Sequence, residues 1–372
     1  MIQPMKKPRK ILFLTQLPPP IHGASKINEY IKTSIPINEK FDTVHINVIT
    51  AKDLNDVQKF SWSKVAVIAK LYLKIIKSCL STRFDLVFVT LSTDGIAFYK
   101  SALVWIIAAA FIRNRVIMLH EKGLEMTAQK NGFNRFITRW MINGSNLIVT
   151  SKLLLAEFDS YTAKKYVVCS GTPGTSTVRN GSFTGKNVPE LLYLSNLIVE
   201  KGILFFVDIC AELTRRGFAY HANIIGKESD ISMAELQALI HERNLNRQVT
   251  LVGAKYNEEK DAYLRNSDFL IFPTFYKRET TPLVIQEAFK FGLIPLSSPE
   301  GGIPDLIEDG VDGFVIDPED VAQYCDKIMW LSAHHERLNA FRKAGQAKFD
   351  NRFSLPVFEK NMVSVLDSAL NY

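Results

Sequence analysis

The sequence predicts an α/β protein built from two doubly wound domains in tandem, and three observations carry that reading. Short β-branched runs alternate with longer helical patterns, as parallel βαβ units require. The alternation stops in a turn-rich stretch near residues 170–189 and then restarts. The chain's 372 residues, 47% of them hydrophobic, exceed what one core can use, since single cores rarely grow past roughly 250 to 300 residues.

Taken in order, the first domain shows strand patterns at 10–15, 44–50, 86–90, 115–120, 147–151 and 166–169. Helical patterns lie between them near 24–36, 58–80, 95–112, 133–143 and 152–159. Turn formers crowd Ser170-Gly-Thr-Pro-Gly-Thr-Ser-Thr177 and the segment Asn180 to Pro189, where an interdomain connection is expected. The domains are therefore read as 1–180 and 189–354, joined by a linker at 181–188 and followed by an amphipathic helix at 355–372. In the second domain, strands are expected at 191–194, 221–226, 248–253, 269–273, 293–297 and 313–316. Helices near 203–216, 231–244, 258–266, 282–291 and 318–333 connect them. Ligands of such folds lie beyond the carboxyl ends of the strands, so chemistry is sought in the loops that follow them.

Composition narrows the setting. Cys79, Cys169, Cys210 and Cys325 stand far apart, with neither a disulfide framework nor a zinc spacing, which fits a reducing cytoplasm. The apolar run 11–14 is too short for a signal peptide, and 102–112 falls short of the ~20 apolar residues of a membrane helix. Residues 1–188 hold 26 Lys and Arg against 11 Asp and Glu, a net of +15, and the remainder holds 19 against 27, or −8. A basic first half suits an anionic membrane surface or a phosphate-bearing acceptor. Nucleic acid is not expected, because no compact Arg-rich or aromatic-interleaved stripe is present. The helix from about Val57 to Leu80 carries Lys70, Lys74 and Lys77, interleaved with Phe60, Trp62, Ile68, Leu71 and Ile75. It reads either as a membrane-surface element or as a packed helix with a solvated lysine face; the charge split favours peripheral attachment to anionic lipid.

The most informative stretch is Phe269-Leu-Ile-Phe-Pro-Thr274 followed by Glu279-Thr-Thr-Pro-Leu-Val-Ile-Gln-Glu287. A buried strand runs into a loop, Thr281 is expected to cap a helix with Pro282 in its first turn, and Gly292 stops it. Glu279 then precedes the helix and Glu287 lies in its second turn. Unpaired backbone amides of the first turn favour a diphosphate. Acidic residues are common at helix starts, where the dipole favours them, so the pair gains its meaning from company. Gly301-Gly-Ile-Pro304, through Gly310 and on to Phe314, follows the next strand as a neighbouring βα loop would.

With these motifs the chain resembles the retaining family-four glycosyltransferases of the GT-B fold, especially bacterial enzymes of capsule, exopolysaccharide and lipopolysaccharide synthesis. The resemblance runs from the loop Pro18 to Ser25, through Asn180-Gly181, to Asp317-Pro318, with the E-x7-E pattern at Glu279 and Glu287 as its strongest element. It implies two Rossmann-like domains facing a central cleft and a nucleotide-sugar donor. Glu279 and the amides at Thr281 and Leu283 would hold the donor sugar, and Glu287 the ribose. Lys201, in Leu194-Ser-Asn-Leu-Ile-Val-Glu-Lys-Gly202, would meet the diphosphate. Asn196 stands where the family places an Arg, so Lys277 or Arg278 either substitutes for that cation or is an exposed loop residue. Pro273, Gly226 and Gly253 complete the donor side. In the first domain the resemblance gives His22, Gly23 and Ala24 a phosphate or acceptor loop, with Gly23 allowing close backbone approach, and gives His120 contact with the transferred sugar.

The sequence contains no Asp-x-Asp, so no cofactor or metal is expected, and charge stabilisation falls to Lys201 and helix amides. A glycan or lipid-linked acceptor follows from the same resemblance. Two rival readings stay open: a catalytically silent nucleotide-binding subunit, which Asn196 supports, and a nucleotide-sugar epimerase.

Overall fold

A computed structural model describes residues 7–49, 62–177 and 188–371. The chain forms two compact units, Met1–Gly171 with Leu355–Tyr372, and Thr172–Ser354. Phe60, Asn180, Gly181 and most of the expected linker lie outside the described residues.

The first unit contains β1 (Lys10–Thr15), α1 (Gly23–Thr33), α2 (Ile35–Lys40), β2 (Asp42–Asn47), α3 (Trp62–Ser81), β3 (Leu86–Leu91) and α4 (Gly95–Ala109). β4 (Asn114–Leu119), α5 (Leu124–Gln129), α6 (Gly132–Asn143), β5 (Asn146–Val149) and β6 (Lys165–Val167) follow. The helical pattern near 152–159 is a 3-10 helix, Lys152–Phe158. The strands form a six-stranded parallel sheet in the order β2-β1-β3-β4-β5-β6. Central strands such as β3 are buried at every position, as continuous apolar runs covered on both faces should be. The reversal of strand order between β1 and β3 marks this unit's switch point.

The second unit contains β7 (Glu190–Leu194), α7 (Ile203–Arg215), β8 (His221–Ile225), α8 (Met233–Glu242), β9 (Val249–Leu251), α9 (Asn257–Asn266) and β10 (Phe269–Phe272). It continues with α10 (Leu283–Phe291), β11 (Ile294–Ser297), α11 (Ile303–Leu306), β12 (Phe314–Val315), α12 (Val321–Ala333) and α13 (His335–Lys348). Its six-stranded parallel sheet runs β12-β11-β10-β7-β8-β9, so the strand order reverses between β7 and β10, the two central strands. The last helix, α14 (Leu355–Leu370), packs on α2 and β4 of the first unit. It buries Phe358, Met362, Leu366 and Ala369 there, at the spacing of one helical face. No helix among the described residues is long and apolar enough to cross a membrane.

The division between units falls at Gly171 and Thr172, ahead of the expected linker. Turn-forming residues there are tied to the second unit: Thr172 Oγ1 donates to Gln286 Oε1 at 3.0 Å, Thr177 N to the Lys290 carbonyl at 2.9 Å, and Ser176 N to Asp350 at 3.0 Å.

One buried ion pair locks the base of the second sheet. Arg342 of α13 donates to Asp268 at 2.5 Å, with side chains 7% and 6% exposed. The other Asp268 oxygen accepts from Glu190 N at 2.8 Å, joining the starts of β10 and β7. Removing the guanidinium leaves a carboxylate with little water. Arg342→Ala is therefore expected to lower stability by about 3–5 kcal/mol, read as a fall in the urea midpoint of the second unit.

Candidate active site

The loops that follow β7 and β10 leave the sheet on either side of the second switch point, where open α/β sheets bind ligands. Three glycines let them lie against neighbouring backbone. A Cβ at Gly202 (φ +85°) would stand 2.1 Å from the Pro273 carbonyl oxygen, one at Gly226 1.9 Å from that of Ser195, and one at Gly301 (φ +56°) 2.0 Å from that of Glu279. Such distances exclude any side chain without backbone movement. Phe275 N donates to the Glu200 carbonyl at 2.8 Å, Gly302 N to that of Thr280 at 2.7 Å, and Gly226 N to that of Gly253 at 3.2 Å. Gly226 and Pro273 thus abut the loop after β7, and Gly253 is tied to Gly226.

Within this frame Lys201 Nζ meets Glu279 Oε2 at 2.5 Å, with side chains only 17% and 9% exposed. The ammonium also lies 4.3 Å from the Tyr276 ring centroid, a cation–π contact strengthened by desolvation. Tyr193 closes the floor. Its hydroxyl donates to the Lys201 carbonyl at 3.3 Å, and burial first, with the Glu279 charge adding, pushes its phenol above its ordinary range.

α10 starts one residue later than the capping pattern suggested. Pro282 is its N-cap, with ψ 126° outside the helical range, so Thr281 does not cap it. Thr281 Oγ1 instead is buried without a hydrogen-bond partner among the described residues, beside the helix start. Leu283 supplies the first helical amide, and Glu287 does fall in the second turn.

Glu287 is engaged by a residue the sequence reading missed. Lys260 of α9 forms an ion pair with Glu287, their side chains 12% and 16% exposed. The available signal was position: Lys260 stands four residues before the buried Leu264, on the inward stripe of its helix, where a lysine needs a carboxylate. Asn196 is exposed. Lys277 is 75% exposed and reaches Glu300 at 3.5 Å, while Arg278 is half-buried. The structure therefore joins Lys201 to Glu279 and joins Glu287 to Lys260, as two separate pairs.

In the first unit, His22 caps α1. Its Nδ1 accepts from Ser25 N at 3.3 Å, while Ser25 Oγ accepts from His22 N at 2.9 Å. A Cβ on Gly23 would meet open space, so the protein's own packing does not demand glycine there. Ala24 follows in the first turn. His120, just beyond β4, shares a hydrogen bond of 3.2 Å with Asn28 Oδ1, and burial, then the His22 ring, lowers its pKa to about 4. The ring is neutral near pH 7. Among the described residues no group of three or more His, Cys, Asp or Glu is placed to hold a metal ion.

With this geometry in view, residues 176–348 match the family model described as glycosyl transferases group 1. This segment is a group 1 glycosyltransferase domain. The amylovoran biosynthesis glycosyltransferase AmsK of Erwinia amylovora is 28% identical over 182 residues, 48% of this chain and 44% of that protein. The matched glycosyltransferase segment spans less than half the length of that relative. Among solved structures, sucrose-phosphate synthase from Thermosynechococcus elongatus superposes with a TM-score of 0.74 at 16% identity, over 97% of this chain and 98% of that one. Anabaena HepE, solved with UDP and glucose, gives 0.72 at 18% identity, over 97% and 100%. The glycosyltransferase domain and the unit before it thus share the two Rossmann-like parallel-sheet domains of the GT-B fold.

His120 and His45 both have pKa values lowered to about 4, each chiefly by burial. Each therefore binds its proton more readily in the unfolded chain, whose histidines titrate near 6.5. Their neutral forms support folding above pH 6.5, and that support is lost as pH falls toward 4. His120→Gln should flatten the decline of the denaturation midpoint between pH 6.5 and 4.

Proposed function

We propose that the chain is a retaining, metal-independent glycosyltransferase that transfers a sugar from a nucleoside diphosphate sugar to a glycan or lipid-linked acceptor in bacterial surface polysaccharide synthesis. It works in the cytoplasm, in peripheral contact with the inner face of the cytoplasmic membrane. The observation that carries this reading is the shielded Lys201–Glu279 pair at the switch point of a group 1 glycosyltransferase domain.

An ammonium has three donors and a carboxylate accepts several, so each partner keeps hydrogen-bonding capacity for a ligand while holding the other in place. Lys201 stabilises the charge that develops on the departing diphosphate, with the first amides of α10 beside it. Glu279 accepts from donor sugar hydroxyls. Thr281 Oγ1 and the Leu283 amide add contacts at the helix start. Glu287 accepts from the ribose diol, and Lys260 fixes its carboxylate. Neutral His120 offers a hydrogen bond to the transferred sugar. The acceptor hydroxyl attacks the anomeric carbon on the face the diphosphate leaves. The new C–O bond forms as the C–O bond to phosphate breaks, and the hydroxyl proton passes to a phosphate oxygen. Glu279 and Glu287 are then donor binders, not the acid/base pair of a glycosidase. The UDP in HepE and the amylovoran pathway of AmsK support a nucleoside diphosphate product and a surface-polysaccharide role.

The purified chain, incubated with a panel of nucleoside diphosphate sugars, should release nucleoside diphosphate with or without chelator. Lys201→Ala and Glu279→Ala should each lower kcat roughly 100- to 1,000-fold. Nucleotide-dependent thermal stabilisation without turnover would favour the silent subunit that Asn196 suggests, and isomerised donor would favour an epimerase. If no nucleotide raises the melting temperature, the donor site is wrongly placed.

A further inference from the structure

Helices α3, α4 and α6 each connect one strand of the first sheet to a later strand on the same side. Right-handed crossovers therefore place them on one face, α3 packed on α4 and α4 on α6. A helix in such a layer normally turns its polar side outward. These three do not.

On α6, Asn134, Ile137, Thr138, Met141 and Ile142 point inward, leaving Phe133, Phe136 and Trp140 exposed at 63%, 67% and 47%. Arg135 and Arg139 flank that aromatic arc. α4 repeats the spacing with Ile96 (85% exposed), Tyr99 and Leu103, and Tyr99 donates to Asn134 at 2.9 Å, tying the two helices. On α3 the apolar residues interleaved with the lysines turn inward: Ile75 is fully buried, Leu71 is 8% exposed, and Ile68 is half-buried. The outer side instead carries Leu73 and Leu80 (64% and 72% exposed) beside Lys70, Lys74 and Lys77. A shallow apolar trough runs along its end, lined by Leu73, Ile76, Lys77 and Leu80. None of the three helices contains an aspartate or a glutamate.

We propose that the outer faces of α3, α4 and α6 form the surface by which this chain docks on an anionic lipid bilayer, with the aromatic side chains at the headgroup level. The peripheral attachment proposed above is thereby given a location. Charge complementarity selects the occupant. A second copy pressed face to face would set lysines and arginines against their own kind, and nucleic acid would leave the phenylalanines, Trp140 and leucines uncovered. A bilayer rich in acidic headgroups takes both the cations and the apolar side chains.

The test is sedimentation of the full chain with phosphatidylethanolamine–phosphatidylglycerol vesicles and, separately, with phosphatidylcholine vesicles. Binding to the anionic vesicles should be roughly tenfold tighter and should weaken as salt rises. A Phe133→Ser, Phe136→Ser double variant should lose about tenfold in vesicle affinity, and Lys74→Glu, Lys77→Glu should remove most of the salt-sensitive part. All of these side chains are exposed. If the phenylalanine variant melts early, Ile96→Ser makes the same prediction from another helix. Equal binding to both lipids, unchanged binding by the variants, or a soluble dimer that the phenylalanine changes dissolve would each overturn the proposal. Nucleotide-induced thermal stabilisation is read in parallel. Its absence with vesicle binding intact would defeat the transferase reading and leave this surface standing.

Discussion

The loops of the second unit, and the chemistry proposed for them, hang on bringing one lysine and one glutamate, 78 residues apart, to a separation of 2.5 Å where little water reaches them. A charge buried alone is costly, whereas a well-formed pair largely offsets that cost. Lys201 ends the connection after β7 and Glu279 lies in the connection after β10, so neither sits well unless both loops are in register. Glycine supplies the register. Gly202 seats the first loop on the Pro273 carbonyl and Gly301 seats the third on that of Glu279, and hydrogen bonds from Phe275 and Gly302 fasten them. The two motifs that look separate in the sequence are therefore one mechanical object, in which the Gly-Gly-Ile-Pro turn is the rear support of the first glutamate.

Buried titratable groups are accommodated by two means, and each unit gives an example. In the second, charges are kept and paired: Lys201 with Glu279, Lys260 with Glu287, Arg342 with Asp268. In the first, His120 and His45 are held neutral by burial. His45, stacked on Phe13 at 4.6 Å, has no role in the reaction described here.

The strands were legible because both sheets are covered on both faces, which writes each central strand as an unbroken Val/Ile/Leu/Phe run. β1, β10 and β11 fall within a residue of their expected bounds. Helices whose outer faces are polar and whose apolar stripe is thin, such as α13, carried no comparable signal. Thr281 was misplaced as a cap because proline's fixed φ suits both the cap and the first helical residue, and ψ, which decides, is set by the tertiary packing. Lys260 was invisible because one lysine in an acidic stretch looks solvated until the partner helix is in place. For α3 the spacing of lysines was clear, but periodicity alone does not tell which of two apolar stripes the core will take.

The second unit begins and ends at one spot. Thr172 N donates to the Phe353 carbonyl at 2.8 Å, and Thr172 bridges Ser354 in parallel. The glycosyltransferase-matching half is thus a cassette inserted into its host fold with both ends fastened side by side, the arrangement in which an inserted domain is most readily tolerated. Exchange at these two points, distant in the sequence but adjacent in the folded chain, can therefore replace that cassette whole while leaving the sheet and the closing helix of the host unit unbroken.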